Sequence, residues 1–306
     1  MADGETTVSA LETSGIVIPQ EVAKGIFKKA QDGSVLAKLA PQGPQMKYGE
    51  SKVMTLTGRP RAELVGEGDD KSPSGVEFGD KTVTPRKLQV TVRVSNEVEW
   101  ADQDYKLGVW DEIEESAGVA LARALDLVGI HKINPLTGAV AATVSEGIAD
   151  TSNTVTLPAS NPKYDEAVEA AVGAIIAQGF SPSGIALDNT FAFNLSQMRD
   201  NENRKLYPEL GFGQNIQNFE GLAAAVGTTV SGAPEIATPS KILAVVGQMN
   251  AFRWGVQRNI GAEVIRYGDP DGLGDLKRKN QVAIRLEIVY GIGIMDLAAF
   301  ALVKQP

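Results

Sequence analysis

The chain has no cysteine and a single histidine among its 306 residues. Without cysteine it can form no disulfide, no thiolate nucleophile and no cysteine-ligated zinc or iron–sulfur site. One histidine excludes metal sites built on several imidazoles, and any Ser-His-Asp arrangement would depend on His131, which ends a helical stripe. We therefore expect His131 to be a structural side chain, buried or partly buried, with its hydrogen bonds satisfied.

Positive charge and long apolar runs are also scarce. Lys and Arg total 29 against 38 Asp and Glu, a formal net charge of −9, so no basic face predicts sequence-specific binding of nucleic acid. Residues 1–15 are polar and acidic, and the most apolar tail run, 291–303, is short and interrupted by Asp296. We expect neither a signal peptide nor a membrane span.

Carboxylates are the remaining catalytic candidates, and their spacing argues against a site. The acids at 69–70 and at 114–115 are sequence neighbours, whose side chains point to different sides of a strand or helix. The acidic run 269–275 lacks the twelve-residue spacing and closing glutamate of a calcium loop, so we expect a solvated hairpin turn before the basic cluster 277–279. The residues predict no catalytic, cofactor or metal site.

The most informative segment that is present runs from residue 62 to 80, AELVGEGDDKSPSGVEFGD. It separates two strand-like runs, 52–57 and 88–94, by far more than the two to five residues of an ordinary hairpin loop. Its apolar residues are too few to form a core of their own; they are Leu64, Val65, Val76 and Phe78. The segment must therefore find its partners on another surface.

Hydrophobic residues make up 43% of the chain, which is enough for a globular core. The periodicity of these residues predicts the main helices and strands. Strict alternation predicts a half-buried strand at 87–95, with Arg93 on its polar side, and another at 282–288 that would pair with 88–94. An apolar stripe predicts a helix of about 40 Å over 103–131, long enough to serve as a spine. The other predictions are a flexible arm at 1–15, helices at 21–30, at 164–178 and around Phe191, Leu195 and Met198, and a buried strand at 242–246.

Short motifs then recur in a fixed order over residues 16–305. They are Ile18-Pro19 with Glu21, AELVGEG at 62–68, Pro85-Arg86-Lys87-Leu88, Val94-Ser95, Asn134-Pro135-Leu136-Thr137-Gly138, Leu187-Asp188-Asn189, Leu195, Met198-Arg199-Asp200, Lys205-Leu206-Tyr207, Gly247-Gln248-Met249 and Phe252-Arg253-Trp254. In this order and spacing they resemble the major capsid proteins of tailed bacteriophages with the HK97 fold. Each motif is short, and the resemblance rests on their order along nearly the whole chain.

The resemblance implies an α+β subunit with the HK97-like capsid fold. Its parts would be an N-terminal arm and short helix at 1–45, an extended E-loop hairpin at 46–90, a peripheral domain with the spine helix at 91–150, an axial domain at 151–261, and a return to the peripheral domain with a C-terminal strand at 262–306. Within the hairpin, the E-loop itself would span residues 58–85. The acidic segment described above would then lie over a neighbouring subunit.

The resemblance also implies which residues meet other molecules. Inter-subunit ion pairs would come from the E-loop residues Arg59, Arg61, Glu63, Glu67, Asp69, Asp70 and Lys71. The helix at 21–30 carries the most basic local patch, Lys24, Lys28 and Lys29, which would face inward or contact a scaffold. Some members of the family form a lysine–asparagine isopeptide, and although Lys71 and Lys81 lie in the right region, no partner asparagine or catalytic acid can be assigned.

The implied partners are other copies of the chain, in pentamers and hexamers, together with a portal and decoration proteins. Because only about fifteen residues precede Ile16, a separate scaffolding protein, or assembly that needs none, is expected rather than a built-in scaffold. Packaged double-stranded DNA would be touched weakly and without sequence preference, since a lining that bound phosphates tightly would hinder packing and ejection. The implied location is the virion, assembled in the bacterial cytoplasm, without a membrane partner or a cofactor.

Two other readings stay open from the residues. The first is an encapsulin-like nanocompartment shell, which shares the fold but encloses a cargo enzyme. The second is an α/β enzyme with a carboxylate site that the motifs do not reveal. The long glycine-rich E-loop favours the viral form over the first, and the shortage of histidine and cysteine disfavours the second.

Overall fold

The computed structural model describes residues 33–56, 60–68, 70–97, 109–236, 238 and 240–306. The helices are α1 (Val35–Leu39), α2 (Val109–His131), α3 (Tyr164–Ala177) and α4 (Asn189–Ser196). Short 3-10 helices cover Ile148–Asp150, Pro208–Leu210, Thr228–Val230, Met249–Ala251 and Leu297–Ala299. The strands are β1 (Ser51–Leu56), β2 (Phe78–Ser95), β3 (Thr154–Thr156), β4 (Gly184–Leu187), β5 (Asn218–Phe219), β6 (Leu222–Val226), β7 (Ile242–Gly247), β8 (Phe252–Ile265), β9 (Gln281–Ile294) and β10 (Phe300–Lys304).

The longest strands form a four-stranded antiparallel sheet in the order β1-β2-β9-β8. Leu88 lies opposite Ile288, and Val94 lies opposite Val282. Because alternation sends every second side chain to the same face, the sequence pattern also predicts which strands can share a buried face. The predicted pairing of 88–94 with 282–288 is confirmed.

β2 begins earlier than the alternation at 87–95 indicated. It starts at Phe78, and residues 78–83 pair with β1 before residues 84–95 pair with β9. The first half of the strand does not show the alternation because it contains glycine, proline and charged residues, which are depleted in strands. The last part of the E-loop is therefore one arm of an extended β-ribbon, and residues 57–77 connect its two strands.

Helix α2 is the predicted spine, and its described part ends at His131 as expected. Its apolar stripe packs against both the long sheet and residues 228–230. From residue 124 onward every residue of the helix is buried, whereas Ala120, which has the spacing of the apolar stripe, is exposed. The last two turns are thus enclosed on all sides, which brings polar side chains such as Asp126 into the interior.

A second sheet has six strands in the order β3-β10-β7-β4-β6-β5. All six residues of β7 are buried, which confirms the buried strand predicted at 242–246. Helices α3 and α4 pack on this sheet through a separate apolar cluster that includes Ala171, Ile175, Phe191 and Leu195. The carboxylate of Asp188 caps α4 by accepting a hydrogen bond from the Thr190 N–H at 2.9 Å.

Several predictions need correction or lie outside the described residues. Helix α4 ends at Ser196, so Met198 follows the helix instead of belonging to it. Residues 1–32, with the predicted arm and the helix at 21–30, and residues 98–108, with the start of the spine helix, lie outside the described residues. The predicted domain boundaries stay a prediction, and the C-terminal strand β10 joins the six-stranded sheet between β3 and β7.

Candidate assembly surface

The E-loop ribbon consists of β1 and the first part of β2, which pair antiparallel without a bulge. Leu56 pairs with Phe78 at the loop end of the ribbon, and Lys52 forms an exposed ion pair with Asp80 at 2.8 Å across the strands. Beyond the ribbon, the side chain of Leu64 is fully exposed, and Phe78 is largely exposed. These are apolar side chains for which the described part of this chain supplies no cover.

Beyond the ribbon, the two arms of the E-loop bind each other. The Ser72 backbone N–H and hydroxyl donate to the Glu63 carboxylate at 2.8 and 3.0 Å, and the Arg61 N–H donates to the Ser74 hydroxyl at 2.8 Å. These bonds hold the arms together without burying apolar surface. The loop has local order but no core, as its composition predicts.

Most of the predicted E-loop residues lie on one exposed segment of the described chain. Arg61, Glu63, Glu67, Asp70 and Lys71 lie on the exposed loop. Glu67, Asp70 and Lys71 form no ion pair with any other described residue. The remaining predicted residues, Arg59, Asp69, Lys24, Lys28 and Lys29, lie outside the described residues.

The ribbon is anchored at its base by a segment that crosses the long sheet. The Gly43 N–H donates to the Trp254 carbonyl at 2.8 Å, and the Met46 N–H donates to the Val256 carbonyl at 3.1 Å. The Met46 thioether fills a space above Gly291 that a side chain at that position would occupy. Glycine at position 291 therefore permits a close approach of two chain segments.

At the far end of the long sheet, Arg93 organises the turn between β8 and β9. Its side chain is only 7% exposed, and it donates to the Asp271 carboxylate at 2.6 Å, to the Asp269 carboxylate at 2.9 Å and to the Gly274 carbonyl at 2.8 Å. These charged hydrogen bonds hold the pKa of Asp271 below its usual range. The turn is a hairpin connection, as predicted, but its acids are not simply solvated, and Arg93 is buried beneath the turn instead of being exposed to solvent.

Beside this fixed turn lies a cluster that we call the basic tip, formed by Tyr267, Lys277, Arg278 and Lys279. All four residues are exposed, Tyr267 to 71%. The Lys277 ammonium sits 5.2 Å from the centre of the Tyr267 ring. The three cations form no ion pair with any other described residue.

A fully buried carboxylate, Asp126, joins three segments of the body. It accepts hydrogen bonds from the Ser34 hydroxyl, from the Val35 and Leu36 N–H groups at 2.8 and 3.0 Å, and from the Thr229 hydroxyl at 2.7 Å. Burial raises the pKa of Asp126, and the hydrogen bonds oppose that rise. Asp126 therefore fixes where the chain enters the described structure, and its position within an apolar helix gave no such signal in the sequence.

The single histidine has the structural environment that was predicted. His131 is 9% exposed, and its Nε2 lies 3.1 Å from the Thr229 carbonyl oxygen. Burial lowers the pKa of His131, which favours the neutral ring.

The described residues include no group of three or more side chains placed to hold a metal ion, and no described helix is long and apolar enough to cross a membrane.

Comparisons with known proteins give consistent matches along the chain. The model of the phage capsid family matches residues 14–305. A solved chain from Mycobacterium phage Ogopogo is 52% identical, with a TM-score of 0.83 over 89% of this chain and 92% of that one. A chain from Gordonia phage Cozz is 31% identical, with a TM-score of 0.79 over 89% of this chain and 86% of that one. The probable major capsid protein gp17 of Mycobacterium phage D29 is 23% identical over 290 residues, which are 92% of this chain and 87% of that protein.

Proposed function

The chain belongs to the phage capsid family and is a major capsid protein, and from this premise we propose that its copies form the pentamers and hexamers of an icosahedral head around a double-stranded DNA genome. The α+β, HK97-like fold expected from the sequence is confirmed by the mixed sheets and helices and by the structural matches. Self-assembly into a shell follows from the family. The encapsulin-like alternative has no support among the matches.

The exposed E-loop is the observation that supports a contact between neighbouring copies. The E-loop, which includes Arg61, Glu63, Glu67, Asp70 and Lys71, extends from the body on a β-ribbon and buries almost none of its own apolar surface. In the assembled shell it lies over a neighbouring copy, which covers its apolar residues and faces its charges. Arg59 and Asp69 belong to the same interface.

The strength of this interface comes from repetition. An exposed ion pair is worth only about 0–1 kcal/mol, so a few such pairs fix the register of two copies rather than hold them together. Repeated around a closed shell, many weak contacts add up to a stable particle whose single contacts stay reversible. Reversibility lets a misplaced copy leave before the shell closes.

The predicted domains assign the parts of this shell. The N-terminal arm is 1–45 and the E-loop hairpin 46–90. The peripheral domain comprises 91–150 and 262–306, and the axial domain, 151–261, lies near the centre of each capsomer. The long sheet with α2 and the six-stranded sheet with α3 and α4 follow this division except at two strands, because β8 joins the long sheet and β10 joins the six-stranded sheet.

The remaining partners follow from charge and from the family. The acidic chain touches packaged DNA weakly and without sequence preference. A separate scaffolding protein, a portal and decoration proteins complete the particle, and assembly takes place in the bacterial cytoplasm. The protein acts as a structural component of the virion and not as an enzyme.

The basic residues Lys24, Lys28 and Lys29 face the interior of the shell or its scaffold. Changing all three to glutamate should impair assembly or lower the genome content of particles, because an inward acidic patch repels DNA and an acidic scaffold alike. Particle yield and DNA content per particle, compared with wild type, measure the effect. Unaltered yield and content would remove these residues from the proposal.

The E-loop itself is tested by electron microscopy and light scattering of the full chain expressed under conditions where the wild type forms shells, tubes or rings. Deletion of residues 66–79 should abolish regular particles, and Glu67→Lys should reduce their yield. Glu209→Lys makes the same charge change at an exposed position outside the loop and serves as the control. Normal particles from both E-loop variants would refute the interface.

A further inference from the structure

The E-loop ribbon joins the long sheet only at its base. β1 pairs with residues 78–83 of β2 and with no other described strand, and β9 becomes the partner of β2 from Thr84 onward. None of residues 78–82 is buried, whereas Val83 is only 4% exposed. A ribbon of two strands has little stability of its own. Its direction relative to the sheet therefore depends on the contacts around Val83.

On one face of the sheet, the base of the ribbon is crossed by residues 43–46, which we call the strap. The strap crosses a row in which Pro85, Gly291 and Gly255 lie side by side on β2, β9 and β8, and we call it the glycine row. A side-chain carbon at Gly255 would lie 3.4 Å from the Met46 Cγ, and one at Gly291 would overlap the Met46 thioether. Met46 thus takes the space that a side chain on β9 would fill.

The base of the ribbon also contacts residues 143–146, which follow the spine helix and which we call the latch. Successive strand residues point to opposite faces, so Arg86 lies on the face opposite to the glycine row. The Arg86 guanidinium donates to the Thr143 carbonyl, and the Lys81 ammonium lies 3.3 Å from the Glu146 carboxylate. The strap and the latch therefore hold the base of the ribbon between them.

These contacts hold the ribbon at a preferred angle without locking it in a packed core. Met46 has an unbranched side chain with several rotatable bonds, which adapts to spaces of different shape. Lys81 and Glu146 are 39% and 41% exposed, so water competes readily for their ion pair. Protein hinges consist of a few residues that absorb a change of direction, often small ones, and the glycine row has this character. The ribbon can therefore turn at its base at modest cost.

We propose that the strap, the glycine row and the latch form a joint that sets the angle of the E-loop ribbon, with the Met46 side chain as its wedge. This inference rests on the proposed assembly function. Fivefold and sixfold rings place a neighbouring copy at different angles, although the chains are identical. A joint with a preferred but adjustable angle lets the same E-loop reach its neighbour in both rings. A looser joint allows contacts at wrong angles and gives particles of mixed size.

Moving bulk between positions 46 and 291 tests the wedge. Met46→Ala empties the space above Gly291, and the diameters of its particles should spread about twofold more widely than those of the wild type. Gly291→Ala forces the strap away from the sheet and should lower the yield of regular particles. The double variant should recover uniform particles, because the added methyl group fills part of the space that the thioether leaves. A double variant that is as irregular as either single variant, or that no longer folds, would overturn the wedge.

Two matched controls lie on the same ribbon beyond the joint. Met54 is 74% exposed, so Met54→Ala removes a methionine side chain without touching the strap and should leave the particle diameters unchanged. Lys81→Met breaks the latch and should broaden the diameters, whereas Lys52→Met breaks the exposed pair with Asp80 within the ribbon and should not. Equal broadening by a variant and its control would mean that the ribbon as a whole, and not the joint, determines particle size.

The angle itself can be measured because the chain has no cysteine of its own. Spin labels on Met54→Cys, in the ribbon, and on Glu263→Cys, an exposed position of β8, report the distance between ribbon and sheet by pulsed electron paramagnetic resonance. In labelled chain diluted with unlabelled wild type, Met46→Ala should shift or broaden the distance distribution, while Lys52→Met should not. Equal distributions with and without Met46→Ala would overturn the joint, whatever the particle diameters.

The outcomes separate this inference from the assembly function. If Glu67→Lys and the deletion of residues 66–79 both leave assembly normal, the E-loop interface is wrong, and the angle of the ribbon has no role in the shell. If those E-loop variants fail while Met46→Ala and Lys81→Met form uniform particles of wild-type diameter, the interface stands and only the joint is overturned.

Discussion

The Thr229 hydroxyl donates a 2.7 Å hydrogen bond to the Asp126 carboxylate, 103 residues away along the chain. The same carboxylate accepts the first N–H groups of α1, so one side chain ties the entry segment, the spine helix and the 228–230 turn together. Four donors on one buried carboxylate satisfy most of its acceptor capacity. This cluster fixes Ser34 and the start of α1 against the body of the protein.

Asp126→Ala should lower the free energy of unfolding by about 3 kcal/mol or more, because several buried donors lose their acceptor and each orphaned group costs roughly 1–3 kcal/mol. Thr229→Val removes one donor and keeps the shape, so it should cost only about 1 kcal/mol. Urea unfolding of both variants measures the difference. Equal losses would mean that Asp126 does not hold the segments together.

Arg93→Met should destabilise the protein by about 2 kcal/mol, since charged hydrogen bonds contribute roughly 1.5–3 kcal/mol and the acids left behind remain partly solvated. The loss should be local, so limited proteolysis within 268–275 should accelerate more than cleavage elsewhere. Lys52→Met breaks the exposed pair with Asp80 and should leave the unfolding midpoint unchanged. Equal protease resistance of the turn in Arg93→Met and wild type would contradict the assignment of Arg93 as its organiser.

The same pair predicts a pH dependence. Hydrogen bonding from Arg93 lowers the pKa of Asp271 in the folded protein below its unfolded value, which is about 3.9. The stability from this group is therefore fully present above the unfolded value and is lost as the pH falls through the folded pKa. Asp271→Asn should flatten the acid side of the stability curve, measured by urea midpoints at falling pH.

A thermodynamic cycle checks the source of that dependence. If Arg93 is responsible, Arg93→Met should flatten the acid side as well, and the double variant should add little to either single change. Additive effects of the two changes would show that the carboxylate of Asp271 senses some other group.

The sequence predicted the strands whose pattern of apolar residues is set by which of their faces are buried. The run 87–95 and the run 282–288 alternate because each has one buried face, and that alternation determines which strands can share a face. The continuous apolar run at β7 predicted a strand enclosed in a sheet, and all its residues are buried. The E-loop was recognisable for the opposite reason, since a segment with so few apolar residues cannot form a core.

The sequence could not predict polar groups that act through partners distant in the chain. Arg93 alternates with apolar residues like any solvent-facing side chain, and only the acids at 269 and 271 explain its burial. The sequence gives no sign of the burial of Asp126, because its four donors come from segments 90 to 92 residues before it and 103 residues after it. The periodicity of apolar residues indicates which face of a helix or strand is buried. The contacts of Arg93 and Asp126 depend instead on the tertiary arrangement of distant segments.

One substitution made in two helices should have opposite effects. Gly129 lies in α2, where an added methyl group would sit 2.9 Å from the Phe252 ring and 3.0 Å from the Leu36 side chain, so Gly129→Ala should destabilise the protein by about 1–3 kcal/mol through overpacking. Gly173 lies on the exposed face of α3 with nothing within 4 Å of that position. Gly173→Ala should therefore stabilise the protein by about 0.5–1 kcal/mol, because alanine favours the helix and reduces the entropy of the unfolded chain. Thermal and urea unfolding measure both changes, and stabilisation by Gly129→Ala would mean that the spine helix packs less closely on Phe252 than the distances indicate.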